Sequence, residues 1–313
     1  MSTNRVLIID EMHLSIISLL ESRGWLVDYR PDIGRSEILE ILGAYVGMII
    51  RSKTVIDRQL IEAGGALKFI GRAGAGLDQI DKEFLIERNI SLFHAAEGNM
   101  DAVAEHAIGG LLAVLNKLSQ ADAEVRKGVW RREANRGVEL QGKTVGIIGF
   151  GNMGSAFAKR LQGFDVQVLA YDKYKSGFGT SHVQEVSLNH VFEHADILSI
   201  HVPLTFETAN FLDQSFFRQF HKPIFFINTA RGELVSFDTL NWAFDQGILK
   251  GAVLDVLENE KFQTFTSEQQ ASFARLADRL QVVFSPHVAG WTVESYEKIN
   301  QVLVQKISQE FNY

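Results

Sequence analysis

Apolar and polar residues follow one another along this chain in two alternating patterns. Short runs of aliphatic and aromatic residues, typical of buried strands, alternate with stretches in which apolar residues recur every three or four positions, as in amphipathic helices. In the first third of the chain this pattern predicts strands at 6–10, 25–29, 46–51, 67–71 and 90–94. Helices are predicted between them at 12–22, 36–42, 57–63 and 82–88. Such alternation predicts a parallel sheet covered by helices on both faces.

A second series of the same kind follows a long apolar helix predicted at 101–118. Its strands are predicted at 145–148, 166–171, 183–186, 196–202, 224–229, 251–256 and 280–285, with helices at 187–194, 213–219 and 236–246. The charged segment 121–137 is predicted to be an irregular surface arm, and 292–311 an amphipathic terminal helix. The fold class is therefore α/β, with two doubly wound parallel sheets.

The segment 143–172 carries the pattern of a dinucleotide-binding turn. An apolar strand leads into Gly149, Gly151 and Gly154, a helix follows, and a second strand ends at Asp172. In such a turn the first glycine permits the tight bend, the second lets backbone N–H groups approach a pyrophosphate, and the third lets the helix pack on the strand. The N-terminus of the helix then attracts the phosphates. A tight turn without a ligand is the alternative interpretation.

The residue at the end of the second strand favours NAD over NADP as the cofactor. The carboxylate of Asp172 can accept hydrogen bonds from both ribose hydroxyls and would repel a 2′-phosphate. Lys173 and Lys175 follow closely and count against this choice. The prediction is NAD, with NADP as the open alternative.

The composition is that of an ordinary globular protein, and it excludes several classes. Of 313 residues, 46% are hydrophobic and 22% are charged, which suits two domains with substantial cores. The absence of cysteine excludes disulfides, thiolate metal sites and cysteine nucleophiles. The sequence shows neither a signal peptide nor an apolar run long enough to span a membrane, so a cytoplasmic location is expected. The net charge of −7 argues against a nucleic-acid partner.

Three polar residues follow the last predicted strands of the second series. Arg231, Glu260 and His287 come after the strands at 224–229, 251–256 and 280–285. In an open α/β sheet the ligand lies beyond the carboxyl ends of the strands, so we expect these side chains to lie near a bound nicotinamide.

These three residue types suit the reduction of a 2-oxoacid. His287 is the candidate acid that protonates the carbonyl oxygen, and Glu260 is the carboxylate that orients the imidazole and raises its pKa. Arg231 is the candidate clamp for the substrate carboxylate or donor to its carbonyl oxygen. Asp255, inside an apolar strand, needs a partner, and the nicotinamide carboxamide is one candidate. Taken singly, the first three could each be an ordinary surface residue.

At these residues the chain resembles the D-2-hydroxyacid dehydrogenase family, which includes D-3-phosphoglycerate, formate and glycerate dehydrogenases. The matching motifs occur in the family's order over nearly the whole chain. They are IIRSKT (49–54), GRAGAGLDQID (71–81), NMDAVAEHAIG (99–109), GIIGFGNMGSAFAKRL (146–161), HVPLTFETANFLD (201–213), NTARGELV (228–235), GAVLDVLENE (251–260) and SPHVAGWT (285–292).

The resemblance implies a Rossmann NAD domain, 99–287, inserted into a flavodoxin-like substrate-binding domain, 1–98 plus 288–313. It implies a homodimer joined through the NAD domain and aligns the three polar residues with the family's catalytic Arg, Glu and His. The implied cofactor-binding residues are Asn99, Gly149, Gly151, Asn152, Met153, Gly154, Asp172, Pro203, Thr208, Thr229, Ala230, Asp255 and Gly290. The implied substrate-binding residues are Arg51, Ser52, Ala75, Gly76 and Arg132. No metal is expected.

The chain departs from the family pattern at three positions. Lys261 stands where proline is usual, Gln79 where asparagine is common, and Trp291 where a smaller residue is frequent. The sequence ends at Tyr313, so the regulatory domain of some phosphoglycerate dehydrogenases is not expected.

The identity of the substrate depends on a second cationic contact. Arg51, Lys53, Arg131 and Arg132 are candidates for binding a phosphate, and they favour D-3-phosphoglycerate and 3-phosphohydroxypyruvate, a reaction of serine biosynthesis. If these are only solvated charges, glyoxylate, hydroxypyruvate or another small 2-oxoacid is the alternative substrate. An NAD-sensing protein resembling a corepressor is a further alternative.

Overall fold

The computed structural model describes residues 4–311, and the chain divides into two compact units. Unit 1 consists of Met1–Met100 and Trp291–Tyr313, and unit 2 consists of Asp101–Gly290. The sequence predicts a substrate-binding role for the first of these parts and an NAD-binding role for the second.

Unit 1 contains a five-stranded sheet in which every pairing is parallel. Its strands are β1 Arg5–Ile8, β2 Leu26–Tyr29, β3 Gly47–Ile50, β4 Phe69–Arg72 and β5 Ser91–His94. They lie in the order β2-β1-β3-β4-β5, which is the flavodoxin-like order. The helices that connect them are α1 Ser15–Glu21, α2 Arg35–Ile41, α3 Arg58–Ala63 and α4 Lys82–Glu87. The predicted α/β class is confirmed for this unit.

The residues of unit 1 explain these elements locally. All four residues of β3 are buried, as expected for a central parallel strand covered on both faces. The side chains of Asp57 and Asp81 accept hydrogen bonds from the backbone N–H groups of Leu60 and Phe84, and so cap α3 and α4. These caps fix where each helix begins and hence where the preceding loop ends.

Unit 2 contains a seven-stranded sheet in which every pairing is again parallel. Its strands are β6 Thr144–Ile148, β7 Gln167–Tyr171, β8 Gln184–Glu185, β9 Ile197–Ile200, β10 Ile224–Asn228, β11 Leu249–Leu254 and β12 Val282–Phe284. Its helices are α5 Met100–Leu115, α6 Leu118–Arg126, α7 Asn152–Arg160, α8 Leu188–His194, α9 Gln214–Phe217, α10 Phe237–Asp245 and α11 Ser267–Ala277. The order β12-β11-β10-β9-β6-β7-β8 is the Rossmann order with one further strand, β12, at its edge.

The end of the chain returns to unit 1 as α12, Val293–Phe311. The apolar face expected from the sequence is present, with Ile299, Leu303 and Ile307 buried in a core cluster of unit 1. Lys306 Nζ donates to both carboxylate oxygens of Glu97, each at 2.8 Å, which adds a polar contact to this packing. None of the helices within residues 4–311 is both long and apolar enough to cross a membrane.

The prediction of an irregular arm at 121–137 is wrong in its first part. Residues up to Arg126 belong to α6, which is separated from α5 by Lys117 in a left-handed conformation with φ of 52°. Helix α6 has no buried residue, so its sequence lacks the apolar stripe by which amphipathic helices are recognised. An ion pair between Asp122 and Arg126, at 2.7 Å and four residues apart, supports the helix instead.

Helix α11 was missed by the hydrophobic pattern for the same reason. Only Leu276 is buried along it. Its start is nevertheless marked in the sequence, because Thr266 and Gln269 form a reciprocal capping box at its first turn. The capping signal therefore predicts this helix where the apolar period does not.

We expect Leu303→Ala to lower the free energy of unfolding by about 2–5 kcal/mol, because it would leave a cavity where α12 packs. Leu303 is fully buried in the core cluster of unit 1 to which α12 contributes. Chemical denaturation followed by circular dichroism measures the change. Gln301→Ala, at an exposed position of the same helix, is the control and should change stability by less than about 0.5 kcal/mol. Equal effects of the two substitutions would contradict the packing of Leu303 in this core cluster.

Candidate active site

The predicted cofactor and catalytic residues of unit 2 follow the carboxyl ends of six neighbouring strands. In the sheet these strands lie in the order β12-β11-β10-β9-β6-β7. The residues that follow their ends are Ser285–Gly290, Asp255, Thr229–Arg231, His201–Thr208, Gly149–Gly154 and Asp172, in the same order. Nearly all of these residues therefore lie along one edge of one parallel sheet, as the sequence predicts. Asn99 lies in unit 1 instead.

The glycine turn between β6 and α7 has the geometry that a dinucleotide requires. Gly149 has a φ of 93°, and a Cβ there would lie 2.6 Å from the carbonyl oxygen of His201. A Cβ at Gly154 would lie 2.1 Å from the carbonyl oxygen of Gly149, so helix and turn touch directly. Gly151 is the N-cap of α7, has no side-chain cap, and faces open space. The first N–H groups of this nine-residue helix are therefore available to an anion.

Asp172 is held in place by the backbone around it. Its carboxylate accepts hydrogen bonds from the N–H groups of Phe150 at 2.8 Å, Tyr174 at 2.9 Å and Lys175 at 3.0 Å. Burial of this carboxyl would raise its pKa, but the three backbone N–H groups lower it, and the pKa lies below its usual value. Asp172 is therefore an anion at neutral pH, linked directly to the glycine turn.

The two lysines that counted against NAD are engaged elsewhere. Lys173 forms an ion pair with Glu207 at 2.6 Å. Lys175 Nζ lies 3.4 Å from the carbonyl oxygen of Phe150. Neither contact is a hydrogen bond to the carboxylate of Asp172, although the charge of Lys175 acts on that carboxylate and helps to lower its pKa.

Other predicted cofactor residues are placed consistently with a bound dinucleotide. The hydroxyl Oγ1 of Thr229 is buried without a hydrogen-bond partner among residues 4–311, and a buried hydroxyl is costly unless something satisfies it. Pro203 and Thr208 lie together, since Thr208 Oγ1 donates to the carbonyl oxygen of Pro203 at 2.7 Å. The orphaned hydroxyl, the open glycine and the uncapped helix all fit a dinucleotide.

His287 and Glu260 form the central pair of the site. The distances from His287 Nδ1 to the two carboxylate oxygens of Glu260 are 2.9 and 3.0 Å. Both side chains are about half exposed. With Nδ1 bonded to the carboxylate, the other ring nitrogen, Nε2, is left for a substrate.

The environment of His287 favours its protonated form. The hydrogen bond that His287 donates to Glu260 raises the pKa of His287, partial burial lowers it, and the negative charge of Glu260 raises it further. The charge of Arg231 opposes this and that of Asp255 supports it, and the pKa ends above its usual value. The charge of Arg231 thus acts on the imidazole, as expected if the three residues lie near one another.

The loop that carries Glu260 is anchored by its neighbours. One carboxylate oxygen of Glu258 accepts a hydrogen bond from the first N–H of α10, on Phe237, at 2.6 Å. The other accepts from Gln269 Nε2 at 2.9 Å. Lys261, where the family usually has proline, donates its backbone N–H to Asn259 Oδ1 at 2.9 Å. The Glu260 loop is therefore held in place although it lacks the proline.

The loop that carries His287 is fixed by Asp255, which is almost completely buried. Its carboxylate accepts hydrogen bonds from the N–H groups of Val288 at 2.9 Å and Ala289 at 2.8 Å, and from the hydroxyl of Ser285 at 2.6 Å. His287 itself has a φ of 54°, a left-handed conformation that is uncommon for residues other than glycine. Its N–H donates to the carbonyl oxygen of Asp255 at 2.8 Å, which helps hold it there.

His106 and Ser285 extend this network and were not among the predicted site residues. His106, on α5, lies with its Nε2 2.8 Å from the hydroxyl of Ser285. Because that hydroxyl donates to Asp255, His106 Nε2 is the donor to Ser285. One feature of the sequence pointed to such a network. Asp255 lies in an apolar stretch, and a buried carboxylate needs hydrogen-bond partners. The network supplies them from the protein, and contact of Asp255 with a carboxamide stays a prediction.

The predicted substrate residues of unit 1 follow two neighbouring strands. Arg51 and Ser52 come after β3, and Ala75 and Gly76 come after β4, which pairs with it. The buried carboxylate of Asp10 accepts hydrogen bonds from the backbone N–H groups of Arg51, at 2.6 Å, and of Lys53, at 3.1 Å. Asp10 thereby fixes the loop that follows β3.

The guanidinium of Arg51 is stacked on two aromatic rings. It lies 4.1 Å from the ring centre of Trp291 and 5.2 Å from that of Tyr296. Burial lowers the pKa of Arg51 below its usual value, while the charges of Tyr296 and Asp10 act in the opposite direction. The rings cover a face of the guanidinium, and its Nη1 donates to the backbone carbonyl oxygen of Glu11 at 3.4 Å. Guanidinium N–H groups lie in the plane of the group, where they can bind an anion.

The other three candidate cations are not equivalent. Lys53 Nζ donates to the backbone carbonyl oxygens of Pro31 and Ile9. Arg131 forms an ion pair with Glu124. Arg132, in unit 2, is exposed and has no ion pair within the part of the chain that the structure describes. Arg51 Nη1 also lies 3.4 Å from the backbone carbonyl oxygen of Glu11, but within residues 4–311 neither Arg51 nor Arg132 forms an ion pair.

Comparison with known proteins agrees with this geometry. Residues 108–289 match the family model described as "D-isomer specific 2-hydroxyacid dehydrogenase, NAD binding domain". The chain belongs to the D-isomer-specific 2-hydroxyacid dehydrogenase family. All of the matched residues lie within unit 2.

Two curated members of this family and one solved structure illustrate the similarity. The D-3-phosphoglycerate dehydrogenase of Archaeoglobus fulgidus is 32% identical over 97% of this chain, which spans only 56% of that protein's length. The hydroxypyruvate reductase of Thermotoga maritima is 32% identical over 99% of both chains. The crystal structure of D-lactate dehydrogenase from Aquifex aeolicus, complexed with NAD and lactic acid, is 23% identical. It shares the fold with a TM-score of 0.82 over 98% of this chain and 95% of that one.

We expect Glu260→Gln to lower the pKa of His287, because the substitution removes the carboxylate whose hydrogen bond and charge raise it. An NMR titration of the imidazole C–H resonances measures this pKa. Glu233→Gln, which removes the charge of an exposed residue just after Arg231, is the matched control and should leave the pKa of His287 near its value in the unaltered protein. A pKa of His287 that is unchanged by Glu260→Gln would show that the pair does not control protonation.

Proposed function

We propose that this protein is an NAD-dependent oxidoreductase that interconverts a D-2-hydroxyacid and its 2-oxoacid. The observation that carries the proposal is the pair of His287 and Glu260, with the pKa of His287 raised. This pair lies at the same sheet edge as the glycine turn that suits a dinucleotide. Family membership supports the same reaction class.

The chemistry divides between the cofactor and these side chains. Bound nicotinamide supplies the hydride for reduction of a carbonyl or accepts it in the reverse reaction. His287 Nε2 donates a proton to the carbonyl oxygen as negative charge builds there, and it takes the proton back from the hydroxyl in oxidation. Glu260 stabilises the imidazolium, and Arg231 binds the substrate carboxylate.

The raised pKa of His287 sets the pH dependence of the two directions. Reduction requires the protonated imidazole, so it is favoured below the pKa and is lost as the pH rises through it. Oxidation requires the neutral imidazole and is favoured above the same pKa.

For the substrate we propose D-3-phosphoglycerate and 3-phosphohydroxypyruvate, which would place the enzyme in serine biosynthesis. The support is the availability of Arg51 and Arg132 together with the name of the A. fulgidus relative. The T. maritima relative, equally identical, is named hydroxypyruvate reductase, so hydroxypyruvate or glyoxylate is the alternative.

A cytoplasmic homodimer joined through the NAD domain and its arm is part of the same proposal. Helix α6 and the segment after it expose several large apolar side chains, of which Trp130 is 78% exposed. The others are Leu118, Val125, Val129 and Val138. Such side chains, clustered in one stretch of sequence, suit an interface between subunits.

Oxidation of NADH with a panel of 2-oxoacids tests the function. The panel contains 3-phosphohydroxypyruvate, hydroxypyruvate and glyoxylate, and we expect turnover with at least one of them. His287→Ala should lower this turnover by about 10²–10⁴-fold, because it removes the proton donor, while NADH affinity stays nearly unchanged. Near-normal turnover by this variant would remove His287 from its proposed role. Tight NADH binding without turnover of any substrate would instead favour a sensor of the cofactor.

The stacking of Arg51 gives a test of substrate choice. If Arg51 binds the phosphate, Trp291→Leu should raise the KM for 3-phosphohydroxypyruvate by about fivefold, the loss of a cation–π contact of about 1 kcal/mol. The KM for glyoxylate and the kcat should change little, and Trp291→Phe should restore part of the effect. Trp242→Leu removes a similar stack, with Arg218 at 4.9 Å in unit 2, and is the control. Equal changes of KM for both substrates would contradict the phosphate assignment.

A further inference from the structure

The outer face of α8 carries three potential metal ligands that the dehydrogenase site does not use. They are His190, Glu193 and His194, at spacings of three and four residues. Side chains at these spacings lie on the same face of a helix, about one turn apart. The three residues therefore point in one direction, away from the sheet of unit 2.

The distances between these groups suit a single ion. One ligand atom from each residue can be chosen so that all three lie within 4.8 Å of one another. His194 Nε2 lies 3.6 Å from Glu193 Oε2, and the two imidazole ring centres are 4.3 Å apart. A tetrahedral site with bonds of about 2.0–2.1 Å places its ligand atoms roughly 3.3–3.4 Å apart. Small side-chain rotations are enough to reach that spacing.

The backbone beneath the three residues is held firmly. Val191 and Phe192, which lie between the ligands in sequence, are buried in the core of unit 2. The hydroxyl of Ser187 caps the helix by accepting a hydrogen bond from the N–H of His190. Because the backbone is already fixed, an ion would order only side chains, and the entropic cost of binding is correspondingly small.

The side chains themselves are free to change partners. Within residues 4–311 neither imidazole donates or accepts a side-chain hydrogen bond, and the contact of His194 with Glu193 is an exposed and therefore weak pair. Glu193 and His194 are exposed and His190 is half-buried, so an ion can reach all three from solvent. His194 also ends the helix, where a positive charge is favourable.

We propose that His190, Glu193 and His194 form a surface site for a divalent transition metal, of which Zn²⁺ fits best. Two neutral imidazoles and one carboxylate are ligands that Zn²⁺ accepts, and the remaining position is filled by water. Mg²⁺ and Ca²⁺ are excluded by the same set, because both require mainly oxygen ligands. The site is separate from the residues proposed for NAD and substrate, and it does not depend on that function.

Titration calorimetry of the full chain with ZnCl₂ at near-neutral pH tests the proposal, with MgCl₂ as the comparison ion. We expect Zn²⁺ to bind and Mg²⁺ to give no heat of binding. His194→Gln should weaken Zn²⁺ binding by about tenfold or more, since even changes beyond the direct ligands cost a metal site that much.

His182→Gln, which removes another exposed histidine of unit 2, is the matched control and should leave Zn²⁺ binding unchanged. His190→Gln with His194→Gln should abolish the site, while turnover of NADH stays as in the unaltered chain. Zn²⁺ affinity unchanged in this double variant would overturn the proposal and direct attention to the pair of His287 and Glu260. Failure of the unaltered chain to bind Zn²⁺ would overturn it as well.

Discussion

The buried carboxylate of Asp255 is the group on which the candidate site depends. It lies directly after a buried strand and is bonded by two backbone N–H groups of the loop after β12 and by the hydroxyl of Ser285. An unpaired buried carboxylate would be costly, so the loop must keep this conformation to satisfy it. In that conformation His287 is left-handed and its imidazole meets Glu260. The pairing of His287 with Glu260 is thus a consequence of how a buried charge is satisfied.

The rest of the site follows from the parallel sheet. Since all strands of unit 2 run in the same direction, their carboxyl ends meet at one edge, and loops far apart in sequence become neighbours there. The glycine turn after β6 and the loops after β10, β11 and β12, which carry Arg231, Glu260 and His287, need no direct contact to lie at one edge. Asp172 adds a fixed negative charge at this edge, because the backbone N–H groups of Phe150, Tyr174 and Lys175 bind its carboxylate.

The physical causes of these features explain which of them could be predicted from the sequence. Buried strands such as β3 and β10 are continuous apolar runs, and the glycines of the fingerprint have steric reasons that hold in any such turn. Helices α6 and α11 bury almost nothing, so no apolar period marks them, although the capping residues of α11 do. His106 could not be found in this way, because its link to Ser285 joins residues 179 positions apart and depends on the direction of a hydroxyl.

The identity of the substrate is harder to infer from the sequence than the type of reaction. The groups that position the His287 loop are bonded to one another around the buried carboxylate of Asp255, so a change in any one of them disturbs the others. The candidate cations are different, since Lys53 and Arg131 are already engaged within their own units. If Arg51 binds the substrate as proposed, substrate choice depends on a few partly exposed groups, chiefly Arg51 and the indole of Trp291 beside it. Such positions can change while the core of the site does not, and relatives of equal identity can therefore carry different substrate names.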